Sequence, residues 1–354
     1  MATANRENNY NLIRLVLASA VILAHSPEII DGDRQREPAA RLFGPWTSLG
    51  ELAVAGFFIL SGYLIALSWL RDPRIGDYLT KRILRIYPGF LLAGLVSGLI
   101  LAPLGTAPGY WSLFSRRRFV LGLPLLRLAV PTAFVDLPYP IINGPIWTIQ
   151  YEFACYLVLL TLGLVGVLRH RWLMMGLALG VTAWAGLQAY GLVPAVESNS
   201  LISGMDGEIP RLLACFLAGA TAARFEDRIS WWGPWVVGLA AIGLTLALRR
   251  ATTGTIALPW LGAVLLLAAG RAPLVPGTAW VRRNDVSYGV YLYSWPIQML
   301  LIARLGVRNP WLVFALALPL AFLAGWISWR LVEKRALRLK GWFGRPAPSI
   351  PRPA

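Results

Sequence analysis

The sequence predicts an all-α, polytopic membrane protein of about ten transmembrane helices, with both termini cytoplasmic. Two observations carry that fold class. The 354-residue chain is 57% hydrophobic and only 14% charged, where soluble proteins show about 25% charged residues. Its apolar residues also fall in repeated runs of about 20, the length that crosses a bilayer as a helix. The net charge of +16 gathers at the ends of those runs, where arginines set topology and meet anionic membrane lipids. It is not read as a nucleic-acid footprint, since no basic region with base-stacking aromatics stands apart from the spans.

Taken in order, the expected spans are 10–27, 47–70, 83–105, 144–168, 172–193, 209–224, 233–249, 254–271, 286–306 and 309–332. The first could be mistaken for a signal peptide, with Arg6, a short apolar run and Ala18-Ser19-Ala20. Arg14 abuts the apolar run and no soluble domain follows, so an uncleaved span fits better. A mixed-charge loop (Asp31, Asp33, Arg34, Arg36, Glu37) precedes the second span, and Arg71, Arg74, Lys81 and Arg82 precede the third. The 106–143 connection carries Pro108, Trp111, Pro131, Pro138, Pro140 and Arg116-Arg117-Arg118, and is expected to hold a short re-entrant or interfacial helix. Residues 194–208 are acidic, with Glu197, Asp206 and Glu208. Residues 1–342 read as one transmembrane domain and 343–354 as a basic, Pro-rich cytoplasmic tail.

Lysine and arginine placement sets the orientation. With the N-terminus inside, the basic segments 71–82, 169–171, 271–283 and 334–345 are cytoplasmic and the acidic 194–208 loop is outside. Arg116 to Arg118 and Arg249-Arg250 fall on the opposite side, but the balance favours both termini inside. There is no inverted repeat of the kind that marks many transporters.

Chemistry has few places to reside. Cys155 and Cys215 lie inside spans, so neither a disulfide framework nor a cysteine metal site is expected. Two distant histidines without a Cys-x-x-Cys do not suit a zinc catalyst, so no metal is expected. His170, between Arg169 and Arg171, reads as a solvated loop residue. Imidazole chemistry therefore falls on His25. In a helix, Arg14 and His25 share one face, three turns and about 16 Å apart. Intramembrane ionisable residues are functional candidates by default, and a neutral imidazole can take the proton of an attacking hydroxyl. The ordinary alternative is an interfacial histidine capping a span beside Pro27.

Arg82 and Arg85 lie three apart on one helix face, where two guanidiniums could clamp the phosphates of a nucleotide-bearing donor. A positive-inside anchor would look the same. Glu152, in Trp147-Thr148-Ile149-Gln150-Tyr151-Glu152, is followed by sixteen uncharged residues, so its carboxylate enters the membrane. It could orient His25, bind an acceptor hydroxyl or pair with an arginine. Ser61-Gly62 in the second span suggests close helix packing. The aromatic run 285–296, with Tyr288, fits a sugar-stacking platform or an interfacial belt.

Together these stretches resemble the acyltransferase 3 family of integral membrane acyltransferases, which O-acylate bacterial surface polysaccharides and related glycans. The matching pieces are Arg14-x10-His25, Phe57-Phe58-Ile59-Leu60-Ser61-Gly62-Tyr63, Arg82-x-x-Arg85 with Tyr87-Pro88, Gly144-Pro145-Ile146-Trp147-Thr148 leading to Glu152, Ser287-Tyr288-Gly289-Val290-Tyr291-Leu292, and Val332-Glu333-Lys334. The resemblance implies an acyl-CoA donor, usually acetyl-CoA, bound from the cytoplasm, and a glycan hydroxyl as acceptor at or beyond the outer face. Within it His25 looks like the general base with Arg14 its partner, and Arg82 and Arg85 like contacts to the CoA phosphates. Glu152 and Glu333 match acidic positions of the family. Trp147, Tyr151, Ser61 and Tyr288 stand as candidates for substrate contact. The chain departs from the family where many members have a histidine and it has Ser294, and where many read Glu-Lys-Pro and it has Glu333-Lys334-Arg335. No appended extracytoplasmic esterase-like domain is expected after the tenth span.

The expected function is a membrane O-acyltransferase of the bacterial inner membrane, moving an acetyl or other acyl group to a polysaccharide or lipid-linked oligosaccharide. Its alternative is a transporter or flippase of a lipid-linked glycan. Nothing in the sequence sets an oligomeric state.

Overall fold

The computed structural model describes residues 8–105, 109–195, 207–229 and 233–340. The described residues are helical with no strand, as the apolar periodicity requires. Ten principal helices run in chain order: α1 Tyr10–Asp31, α2 Leu49–Arg71, α3 Ile75–Gly105, α4 Trp147–Leu164, α5 Arg171–Ala189, α6 Glu208–Arg224, α7 Pro234–Ala247, α8 Ala251–Arg271, α9 Ser287–Leu305 and α10 Pro310–Arg338. Each overlaps one expected span. Seven of them (α1–α5, α8 and α10) are long and apolar enough to cross a membrane. The other three fall outside that set. At 17 and 14 residues α6 and α7 are short, while α9 has 19 residues and buries most of them inside the bundle. A helix surrounded by other helices can carry more polar side chains than one facing lipid.

The centre of the bundle is the α2–α6 crossing, the most extensive helix contact among the described residues. It is made by two glycines. A Cβ on Gly62 would lie 1.9 Å from the Phe216 carbonyl oxygen, and one on Gly219 would lie 2.0 Å from that of Ile59. The small pair read from the sequence as a packing device is therefore one. Backbones this close also turn the neighbouring Ser61 away from α6, towards α4.

Two groups of loops define the ends of the bundle. At one end Asn9 donates to the Ala272 carbonyl (3.1 Å) and Asn11 to that of Arg282 (2.8 Å), joining the start of α1 to the 272–283 segment. At the other, Trp46 donates to the Leu248 carbonyl (3.1 Å) and Trp295 to that of Ile141 (3.0 Å). The 109–143 region at this second end holds two short helices, Tyr110–Leu113 and Arg116–Gly122. Both cysteines are free and buried, and His170 is exposed. Glu197, Asp206 and the 343–354 tail lie outside the described residues.

Candidate functional site

Arg14, Ser61, Arg82, Arg85, Glu152 and Tyr288, read separately from the sequence, line one cavity of about 340 Å³. That is within the size range of small-molecule sites, roughly 300–1,000 Å³. Six helices build it, α10 among them. Helix α1 supplies Arg14, α2 Ser61, α3 both of the other arginines, α4 Glu152 and α9 Tyr288. A π-helical stretch at Trp329–Glu333 adds Trp329 to the wall, and such turns recur at functional sites.

The charges in the cavity are unevenly satisfied. Asp285 accepts from Arg14 Nη1 at 3.0 Å, Arg85 Nη2 at 2.6 Å and Ser287 Oγ at 2.6 Å. Burial would raise the Asp285 carboxyl, but Arg85 and Arg14 hold it below the usual aspartate range. Arg85 also lies 3.9 Å from the buried Glu333, whose other oxygen accepts from Ser328 at 2.9 Å. Glu152 accepts from Ser61 at 2.8 Å and from the Tyr156 hydroxyl. Arg82 differs from all of these. It makes no ion pair among the described residues, its buried Nε has no hydrogen-bond partner, and its guanidinium stands over Tyr156 (5.8 Å) and Tyr78 (6.0 Å). A half-buried cation left with aromatic faces suits a site that takes an anion.

His25 lies elsewhere, at the second end. Its Nδ1 is 2.8 Å from Glu28 Oε2, three residues further along the same face. Glu28 in turn accepts from Arg34 Nε at 3.3 Å, and Arg34 also pairs with Glu51. Glu51 is held in place by a capping box with Ser48 at the start of α2. The carboxylate fixes Nδ1 as the protonated nitrogen, which leaves the Nε2 lone pair for an incoming hydroxyl. Trp295 packs edge-on against the imidazole, with centroids 4.9 Å apart.

Arg14 is thus not the partner of His25. With about 16 Å of helix between them, the guanidinium meets Asp285 instead. Glu152 does not orient His25 either, because it points into the cavity one bundle-half away; Glu28 has that place. Trp147 and Tyr151 pack edge-on against each other at 5.1 Å and do not line the cavity. Sequence reasoning missed Asp285, Tyr156 and Lys340, whose place in the cavity depends on helix packing. It also missed Glu28, although the i, i+3 spacing from His25 was visible.

The cavity ends beneath an aromatic layer. The Tyr291 hydroxyl bonds to the Pro145 carbonyl (2.8 Å) and Thr148 (2.6 Å), and its ring packs edge-on against Phe57 at 5.9 Å. One turn beyond Tyr291, about 6 Å along α9, is the Trp295 that touches His25.

This constellation coincides with a known family. The acyltransferase domain family, acyltransferase 3, matches residues 7–330. The chain belongs to that family. It is 28% identical to an O-acetyl transferase of Shigella phage Sf6 over 94% of this chain and 97% of that one. It is 26% identical to nodulation protein 10 of Rhizobium leguminosarum bv. viciae, over 96% and 95%. It is 27% identical to acyltransferase MdmB of Streptomyces mycarofaciens, over 87% and 86%. No solved structure matches the chain. The protein is a multi-pass membrane O-acyltransferase. Among the described residues no group of side chains could hold a metal.

Proposed function

We propose that this acyltransferase 3 protein takes an acyl group, acetyl in the simplest case, from acyl-CoA at the Arg14 end and delivers it to a glycan hydroxyl at the His25 end. The observation that carries the reading is Arg82, a half-buried cation with no ion pair among the described residues and a buried, unpartnered Nε, in a cavity whose other charges are largely paired. Lys81 and Lys340 line the same cavity, so a phosphate-bearing donor has cations to meet. The Arg14 end is taken as cytoplasmic because Arg71, Arg74, Arg169, Arg171, Arg282, Arg283 and Lys334 gather there. All ten helices would then span the bacterial inner membrane, with both termini inside.

In this scheme the nucleotide stays at Arg82 while the pantetheine arm reaches along the Arg14–His25 face, past Tyr291 and Phe57. His25 Nε2 takes the acceptor hydroxyl proton as the oxygen attacks the thioester carbonyl. When the carbon–sulfur bond breaks, the proton goes to the departing thiolate. Glu28 holds the imidazole tautomer and stabilises the charge it carries in between. Arg85, already paired with Asp285 and Glu333, positions the cavity wall and contributes less to phosphate binding than Arg82.

Equilibrium binding of acetyl-CoA to the purified protein tests the donor site. Arg82→Ala should weaken it by roughly ten- to a hundredfold, the worth of a charge-assisted hydrogen bond, with partial recovery in Arg82→Lys. Unchanged affinity in Arg82→Ala would remove the basis of the proposal.

The donor site should also depend on pH. Burial, and then the like charges of Arg82, Arg85 and Lys81, push the Lys340 ammonium down to about 8. An anion prefers the protonated lysine, so affinity should be flat below pH 8. Above it, binding must take up a proton and should weaken by up to about tenfold for each step of one in pH. Lys340→Arg keeps its charge and should abolish that decline. A decline of the same size in Lys340→Arg would place the titrating group elsewhere.

A further inference from the structure

We infer that the protein carries a binding site for a doubly phosphorylated membrane lipid, of the diphosphatidylglycerol class, where the ends of α4, α5 and α6 meet. A hollow of about 580 Å³ lies there, lined by Arg169, His170, Arg171, Trp172, Arg224 and Asp227. It shares no lining residue with the cavity that holds Arg82. It stands at the Arg14 end of the bundle. Glu226, two residues beyond Arg224, pairs with Arg271 at the close of α8, next to the Ala272 carbonyl to which Asn9 donates.

Local structure brings three arginines into this hollow. After α4 the chain turns at Gly166, with φ of 82°, makes one 3₁₀ turn over Val167–Arg169, and starts α5 at Arg171. Helix α6 ends alongside at Arg224, whose Nη2 donates to the Arg169 carbonyl at 2.9 Å. The Arg224 Nε is buried and has no hydrogen-bond partner. The Arg171 guanidinium stands over the rings of Trp172 and Phe225, 5.8 Å from each centroid. A guanidinium laid on aromatic faces keeps its in-plane N–H groups for an anion. None of the three arginines makes an ion pair among the described residues. Asp227, the acidic residue of the lining, is 3.7 Å from Arg228. Three like charges gathered in one hollow repel one another, and a bound anion relieves that repulsion.

The rim of the hollow points to a lipid as the source of that anion. Trp172 is 69% exposed, and Val165 and Leu173 beside the arginines are exposed as well. An indole at the edge of an apolar surface marks headgroup depth, and basic pockets between helix ends hold lipid phosphates there. The charge count favours two phosphates over one. Three guanidiniums outweigh a single phosphodiester, whereas two phosphodiesters joined by one glycerol come close to matching them. Arg224 closes α6, the helix that meets α2 at Gly219. A lipid held by all three arginines would therefore fasten α4 and α5 to the centre of the bundle.

Native mass spectrometry of the full-length protein in detergent tests the site, with tetraoleoyl diphosphatidylglycerol as probe. Dioleoyl phosphatidylglycerol, matched in total phosphate, and inorganic phosphate serve as competitors. The probe should bind, matched phosphatidylglycerol should displace it poorly, and inorganic phosphate should not displace it. Arg169→Ala leaves in place the carbonyl that Arg224 holds, and should weaken the probe about fivefold, the worth of one basic residue at a lipid surface. Adding Arg171→Ala should bring the loss to roughly twentyfold or more, and Arg169→Lys should recover most of the loss in Arg169→Ala. Arg249→Ala removes an exposed cation at the opposite end, next to the Leu248 that Trp46 holds, and should leave probe binding unchanged. An equal loss in Arg249→Ala would show general attraction to a basic protein and overturn the inference. Undiminished binding in the Arg169→Ala, Arg171→Ala double variant would overturn it too. Equal affinity for matched phosphatidylglycerol would mark a site for one phosphate, and displacement by inorganic phosphate a site for a soluble anion; either result also refutes the doubly phosphorylated lipid.

Discussion

Replacing His25 with Ala should abolish acylation of the cell's glycan while leaving its export intact. The expected loss in rate is about 10² to 10⁴, the usual worth of a positioned general base. The side chain is 20% exposed and makes one hydrogen bond, to Glu28, so its removal should not disturb the bundle. Acetyl-CoA affinity should remain within twofold of the wild type, because the cations proposed to hold the donor's phosphates, Arg82, Lys81 and Lys340, lie at the other end of the bundle. Glu28→Gln should lower the rate less than His25→Ala, since an amide still bonds to the imidazole but no longer stabilises a positive charge on it. Acylation measured by mass spectrometry of the glycan decides the matter. Lost export with acylation preserved would favour the transporter reading instead.

The largest effect on folding is expected at Gly62. Its missing side chain admits the Phe216 carbonyl to 1.9 Å from where a Cβ would stand, so Gly62→Ala must drive two buried backbones apart. Ordinary overpacking costs about 1–3 kcal/mol; here no flexible side chain can yield, and the cost should reach or exceed the top of that range. Thermal unfolding in detergent should show a clear fall in Tm, and yield from membranes should drop. Gly219→Ala, opposite on α6 and 2.0 Å from the Ile59 carbonyl, should behave alike. Wild-type Tm in both variants would show that the crossing is looser than described.

Composition and periodicity sufficed for the helices because lipid leaves few options. Backbone groups in hydrocarbon must bond within their own segment, so each apolar run between basic ends could be read as a helix. Helices α6, α7 and α9 show where that logic thins, since a short or enclosed helix loses the length and hydropathy that mark a lipid-facing one. Arg14, Arg82, Arg85 and Glu152 were visible for a related reason, because charge within an apolar run is costly and stands out. Ser61 drew notice first as half of a small packing pair and Tyr288 as part of an aromatic run, and neither reading placed them in the cavity.

The activity was legible only through the resemblance of its motifs to the acyltransferase 3 family, while the sequence's own pattern determined an all-helical membrane protein and the charged residues that its chemistry can use. It did so because hydropathy and intramembrane charge are local properties, carried by each segment independently of its neighbours. Only the tertiary structure decided which of those residues meet. Arg14 turned to Asp285, 271 positions away, His25 turned to Glu28, and Arg82 was left without a carboxylate among the described residues. Partnership depends on which helix faces which, and that follows from crossings such as Gly62 against Phe216, where contact is set by the packed shape of two helices rather than by the pattern along either.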